Sequence, residues 1–189
     1  EQHVYNRDLL DVFQPIRGNF HWKGGEYDTE VVWTPDPNGK FWAAWLPDAK
    51  SRNKVIDIEG VKYPMRGHIG RGGVDSYNKD QTVDNRSSNG ALSLYNIFNS
   101  EPNTPSYQFV LEYIERPPYA EMFFEDTLMA AVFYGYPLLI ENNKEAIITY
   151  FRKRGYGGYV MKRPKEYTPE SNLKRKVVEW GIPSNSDDI

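Results

Sequence analysis

Short apolar runs alternate with polar, turn-forming stretches along this chain, and the period of the apolar positions divides it into elements. Leu9, Leu10, Val12 and Phe13 share one face of a helix predicted over residues 1–18 and ended by Pro15. Residues 30–33 and 41–45 read as strands on either side of Pro35-Asp-Pro-Asn38-Gly39. Asn-Gly between two such runs is a hairpin signal, so residues 19–46 are expected to form a β-hairpin or meander. Residues 47–71 read as a polar connection with a turn at Asp57-Ile-Glu-Gly60. Strands follow at 69–77, 91–98 and 107–114, separated by a polar loop at 80–89 and a turn at 101–106 that holds two prolines. Met122, Phe123, Leu128, Met129, Val132 and Phe133 give residues 121–134 the wide apolar face of a helix. Residues 137–140 are fully apolar, which suits a buried parallel strand. A helix over 144–154 stops at Gly155, a fifth strand over 159–162 stops before Pro164, and 172–180 begins another helix.

The element order is β-β-β-α-β-α-β-(α). Three strands with short links make an antiparallel meander, and strands joined through helices require parallel crossovers. This is the layout of the RNase H-like fold: an α/β protein whose mixed sheet has three antiparallel strands plus parallel strands, flanked by helices. On this reading residues 1–66 are an N-terminal helix and β-hairpin extension packed on the core. Residues 67–189 are the core itself, truncated toward its C-terminus. No internal repeat is present.

Composition narrows the class. Of 189 residues, 39% are hydrophobic and 15% aromatic, which is globular. Without cysteine there is no disulfide framework and no thiolate zinc site. No apolar run approaches the ~18 residues of a membrane span. The amino end lacks the basic-then-apolar order of a signal peptide and begins without Met, so the chain is expected to be a fragment or a processed product. The net charge of −3 conceals a basic stretch: between Lys144 and Lys176 stand ten Lys or Arg against three acids. Such an excess suits phosphate binding, with a solvated helix face as the plainer explanation.

The candidate chemistry lies at strand ends. Glu141 ends the 137–140 strand before Asn142 and Asn143 open a helix, and Asp75 ends the first core strand about 65 positions earlier. Open α/β sheets place their chemistry outside the carboxyl ends of strands. In this layout the two carboxylates approach each other and repel, and a hard divalent cation, Mg²⁺ or Mn²⁺, relieves that repulsion. Two metals about 4 Å apart would activate water for phosphodiester hydrolysis. Plainer readings exist: an Asx turn for Asp75 and a helix N-terminal acid for Glu141. Asp84, and less strongly Asp80, could reach back from the following loop to a second metal, and His68 is either a ligand or an ordinary surface or core histidine. Trp22, Trp33, Trp42 and Trp45 suit core packing in strands, with a sugar- or base-stacking platform as the alternative. There is no phosphate-binding Gly-x-x-x-x-Gly-Lys-Ser/Thr loop and no Gly-x-Ser-x-Gly elbow.

Several short motifs, in order, resemble a known family. Val74-Asp75-Ser-Tyr, Ser88-Asn-Gly-Ala-Leu, Glu112-Tyr-Ile-Glu-Arg116-Pro, Leu139-Ile-Glu141-Asn-Asn, Tyr150-Phe and Lys162-Arg-Pro164 are similar to the nuclease domain of tailed-phage terminase large subunits. The likeness runs over residues 20–183, including the segment around Gly39-Lys-Phe and 47–53. It implies a metal-dependent endonuclease that cuts concatemeric viral DNA during packaging in the host cytoplasm. Its partners would be double-stranded DNA, an ATPase motor domain, a portal and a small terminase subunit, with no membrane. By position Asp75 matches the first metal-binding acid, Glu141 the second, and Asp84 an additional one. Lys144, Arg152, Lys153, Arg154, Lys162 and Arg163 would follow the DNA backbone. The motor is missing, and the family's third acid, on a last helix, has no clear counterpart. Truncation before that helix is expected, with Asp187 or Asp188 as substitutes. Two other classes compete: a resolvase-type nuclease or non-catalytic nucleic-acid module on the same fold, and an all-β carbohydrate-binding module.

Overall fold

The meander forms as the sequence pattern requires. The computed structural model describes residues 15–25, 29–77, 89–141, 145–163 and 180. Strands β1 (Ile16–Trp22), β2 (Val31–Pro35), β3 (Phe41–Ala43), β4 (Val55–Ile58), β5 (Val61–Pro64), β6 (Gly70–Asp75), β7 (Gly90–Asn96) and β8 (Gln108–Glu115) precede the first described helix, α1 (Ala120–Tyr134). Strand β9 (Leu138–Ile140) and helix α2 (Glu145–Lys153) follow. Seven strands make one mixed sheet in the order β2-β1-β3-β8-β7-β6-β9, and β4-β5 form a separate hairpin sheet. β6, β7 and β8 pair antiparallel, while β9 lies parallel to β6 after the α1 crossover. The expected fifth strand over 159–162 shrinks to isolated bridges, Leu138↔Val160 parallel and Lys162↔Trp180 antiparallel, and its first residue, Tyr159, belongs to a 3₁₀ turn at Gly157–Tyr159.

The two helices cover one face of the sheet. Gly90 leaves room there for Phe123, whose ring would stand 2.6 Å from an added Cβ. Rings meet in sequence through this layer: Phe20 edge-on to Phe41 at 4.8 Å, Phe41 stacked on Tyr113 at 4.4 Å, and Tyr113 stacked on Phe123 at 5.2 Å. α1 is buried on nearly all sides rather than along one stripe, and Met122 of its expected apolar face is exposed. Gly135 (φ 70°) ends α1 by donating its N–H to Ala131 and Val132. α2 is amphipathic, with Ile147, Ile148 and Phe151 inward, and Gly155 (φ 79°) follows it.

The N-terminal strands depart from expectation. Ile16–Trp22 is a strand, not the end of a helix; Leu9, Leu10, Val12 and Phe13 lie outside the described residues, as does 172–180 except Trp180. β2 and β3 do not pair with each other. β1 lies between them, antiparallel to both, and β3 joins the whole group to β8. The Asn38-Gly39 turn therefore carries the chain across β1 instead of closing a hairpin. A Cβ on Gly39 would stand 2.5 Å from the Gly18 backbone, and one on Gly18 2.4 Å from the Trp33 ring. Only two bare positions allow that crossing. Asp36 accepts from the Asn38 N–H at 2.8 Å and the Asn19 amide at 3.1 Å, which holds the turn. A hairpin appears instead in the stretch read as a polar connection. Glu59 (φ 52°) and Gly60 (φ 82°) both take left-handed conformations between β4 and β5, as a tight hairpin turn demands.

Candidate functional site

Alternation along β6 decides where Asp75 points. Gly70, Gly72 and Val74 face the helices, while Arg71, Gly73 and Asp75 face the other side of the sheet. β9 continues this pattern beside it. Val74 pairs with Ile140, and the Glu141 N–H donates to the Val74 carbonyl at 3.1 Å. The next residues in register are therefore Asp75 and Glu141, at the carboxyl ends of adjacent parallel strands. Neighbouring strands stand about 4.8 Å apart, and residues in direct register share a face. Two residues far apart in sequence thus become neighbours on the face away from α1 and α2. Gly73, on the same face just before Asp75, has nothing within 4 Å of an added Cβ.

The remaining predicted ligands divide. His68 is exposed in the turn before β6, at the opposite end of that strand from Asp75, and does not join the pair. Asp84, Asp80, Asp187 and Asp188 lie outside the described residues. Among the described residues no three His, Asp or Glu gather as a metal site. Two carboxylates from rigid strands are a hard-oxygen donor set that suits Mg²⁺ or Mn²⁺, though fewer than a closed site needs.

The basic residues are not one strip. Arg152 and Lys162 stand over the Trp180 ring, at 5.4 Å and 6.0 Å from its centroid. Lys153 is exposed at the end of α2, Arg163 is half-buried just beyond Lys162, and Lys144 lies outside the described residues. Arg154 turns inward and donates to Glu125, whose carboxylate also receives the Tyr150 hydroxyl at 2.5 Å and the Trp22 indole N–H at 2.6 Å. Burial, followed by the hydrogen bond to Glu125, pushes the Tyr150 phenol above its ordinary range. Arg154 is therefore committed to the fold, with only 12% of its side chain exposed, and is a poor phosphate contact.

Nor do the four N-terminal tryptophans make a platform. Trp22 is buried, and Trp33 and Trp45 pack against the core. Trp42 lies on the sheet's other face beneath Arg17, whose guanidinium carbon is 4.8 Å from the ring centroid.

Sequence reasoning missed two cavities. One, of about 200 Å³, is lined by Arg17, Lys40, Trp42, Asn89, Glu112, Ile114 and Glu115. It adjoins the row Asp75–Ala91–Ile114 that crosses β6, β7 and β8. The alternation of β8 could have put Glu112 on that face, but not its burial beside Trp42. The second, of about 330 Å³, lies between the β4-β5 hairpin and Trp180. Compared with family models, curated proteins and solved structures, the chain matches none of them.

Proposed function

We propose that this chain is a metal-dependent DNA endonuclease domain with an RNase H-like core, of the kind carried by the large subunit of a viral genome-packaging terminase. One observation carries the reading: Asp75 and Glu141 end adjacent parallel strands in register and share a face. The order β8-β7-β6-β9, with Val160 bridged in parallel outside β9, supports the fold assignment. Asp75 and Glu141 would hold Mg²⁺ or Mn²⁺, with Asp84 as a further ligand. A bound divalent ion supplies a Lewis acid and a water of lowered pKa. The chain's own part is to fix two carboxylates on paired strands and to leave the surface bare at Gly73, where a phosphodiester backbone can approach. Arg152, Lys153, Lys162 and Arg163, together with Lys144, would meet phosphates. An ATPase motor, portal and small terminase subunit would be its partners in the host cytoplasm.

Supercoiled-plasmid cleavage with Mn²⁺, Mg²⁺ or EDTA tests this. Metal-dependent nicking is expected from the parent chain, with a loss of at least about 100-fold in Glu141→Gln and in Asp75→Asn while the thermal transition is kept. Undiminished cutting by either variant would remove that residue from the chemistry. A second reading, a non-catalytic nucleic-acid-binding module, is favoured by the presence of only two acids at the strand ends among the described residues. It predicts DNA binding and no cutting.

A further inference from the structure

We infer that the cavity between the β4-β5 hairpin and Trp180 binds one unpaired nucleotide of a single-stranded nucleic acid, at a place separate from the Asp75–Glu141 edge. The inference rests on the nucleic-acid reading above but not on cleavage. The cavity holds about 330 Å³ and is lined by Val61, Tyr63, Arg152, Val160, Lys162 and Trp180, with the backbone of Gly157 and Gly158. That volume falls in the range of small-ligand sites.

The lining has the two parts a nucleotide requires. Arg152 and Lys162 are both exposed, and both stand over the Trp180 ring. Among the described residues neither has a carboxylate within ion-pair reach. Two cations held against one ring, with no carboxylate in ion-pair reach among the described residues, make a site for an anion such as a backbone phosphate. Tyr63 (38% exposed) supplies an aromatic face, Trp180 an aromatic ring beneath the two cations, and Val61 and Val160 an apolar floor. Aromatic faces beside a basic groove are how proteins hold unpaired bases without reading their sequence. A paired base has its faces already stacked, so the arrangement favours single strands over duplex. Gly158 is required where it stands, since a Cβ there would be 2.3 Å from the Tyr63 ring.

The cavity also lies within reach of the acid pair. Val160 bridges Leu138, three residues before Glu141, which is about 10 Å along the strand. A strand leaving the carboxylate edge could turn over the β9 side of the sheet and seat a nucleotide there. An acidic peptide is the competing occupant, because Ile56 and Ile58 extend an apolar hairpin face beside the cavity.

The test is binding of a fluorescein-labelled oligo-dT of about ten nucleotides to the full chain in EDTA, with poly-glutamate and duplex DNA as competitors. Expected are tighter binding to oligo-dT than to duplex and weak competition by poly-glutamate. Arg152→Gln/Lys162→Gln should lose about tenfold in affinity, and its salt dependence should flatten by roughly one unit of slope. Trp180→Leu should lose about tenfold, while Trp180→Phe, which keeps an aromatic ring beneath the two cations, stays within about threefold of the parent. Thermal melts of each variant confirm an intact fold, and because Arg152 and Lys162 are exposed, that double variant is the decisive one. Unchanged affinity and slope in it would overturn the inference, as would equal competition by poly-glutamate, which would make the cavity a peptide site. The same variants in the plasmid assay keep the two ideas apart. Metal-dependent cutting with cavity-independent binding would refute the nucleotide site and remove Arg152 and Lys162 as phosphate contacts, leaving the Asp75–Glu141 chemistry in place. Cavity-dependent binding without cutting would support it and remove the nuclease.

Discussion

Glu125 shows how much a single side chain can organise here. Its carboxylate receives Trp22 from β1, Tyr150 from α2 and Arg154 from beyond α2. Glu125→Gln takes the carboxylate charge away from the largely enclosed Arg154, and should lower unfolding stability by about 2–3 kcal/mol in urea melts. The Arg154→Met change made alongside it should cost less than the sum of the two singles, since the partners are removed together. Tyr159 is the opposite case. Its hydroxyl is buried with no hydrogen-bond partner among the described residues. Tyr159→Phe should therefore be neutral or stabilising by up to about 1 kcal/mol, and a loss beyond that would mean the hydroxyl has an unseen partner. Sequence pattern could place Trp22 and Tyr159 inside. It could not show that the Trp22 N–H is served and the Tyr159 hydroxyl is not, because that depends on which helix face meets which strand.

Among the elements, β6 to β9 were legible in order and pairing, whereas β2 and β3 were legible as strands but not in what they pair with. Successive strands separated only by polar, turn-rich loops specify a meander, and a helix between β8 and β9 forces a parallel return. The Asn38-Gly39 signal is equally strong locally, yet it says only that the chain turns, not which strand it pairs with afterwards. Gly18 and Gly39 make the difference, and each should fail differently from Gly73. Gly39→Ala meets the Gly18 backbone, which cannot yield as a side-chain tip can, and should destabilise by about 1–3 kcal/mol. Gly73→Ala meets nothing within 4 Å and should be neutral or stabilising by about 0.5–1 kcal/mol. If Gly73→Ala keeps its stability but loses plasmid cleavage, the bare position serves the approach of DNA. The β4-β5 hairpin was hidden because a four-residue strand with an acid inside it reads as a polar connection.

For the whole molecule, alkaline pH and salt are the informative variables. Burial raises the phenols of Tyr113, Tyr136 and Tyr159 above their ordinary value, with Asp126 adding to the effect at Tyr113. The folded chain therefore holds these protons more tightly than the unfolded one. Their contribution is complete below the unfolded tyrosine value near pH ~10 and declines as pH rises above it. Urea midpoints should show no tyrosine-linked loss up to about pH 9 and fall beyond about pH 10, with these phenolates appearing at 295 nm only as the chain unfolds. Midpoints that stay level past pH 10.5 would mean that these phenols are not held in the way described. The pairing of Asp75 with Glu141 follows in the sequence reading only from the order of the elements, and the register of the sheet supplies the rest. Each residue advertises a strand end, but only the β6–β9 register makes them neighbours. That register has a consequence during synthesis. Asp75 leaves the ribosome well before Glu141, and the pair does not exist until α1 has docked and β9 has been laid against β6. Whatever the two carboxylates do together, a nascent or half-folded chain cannot do it.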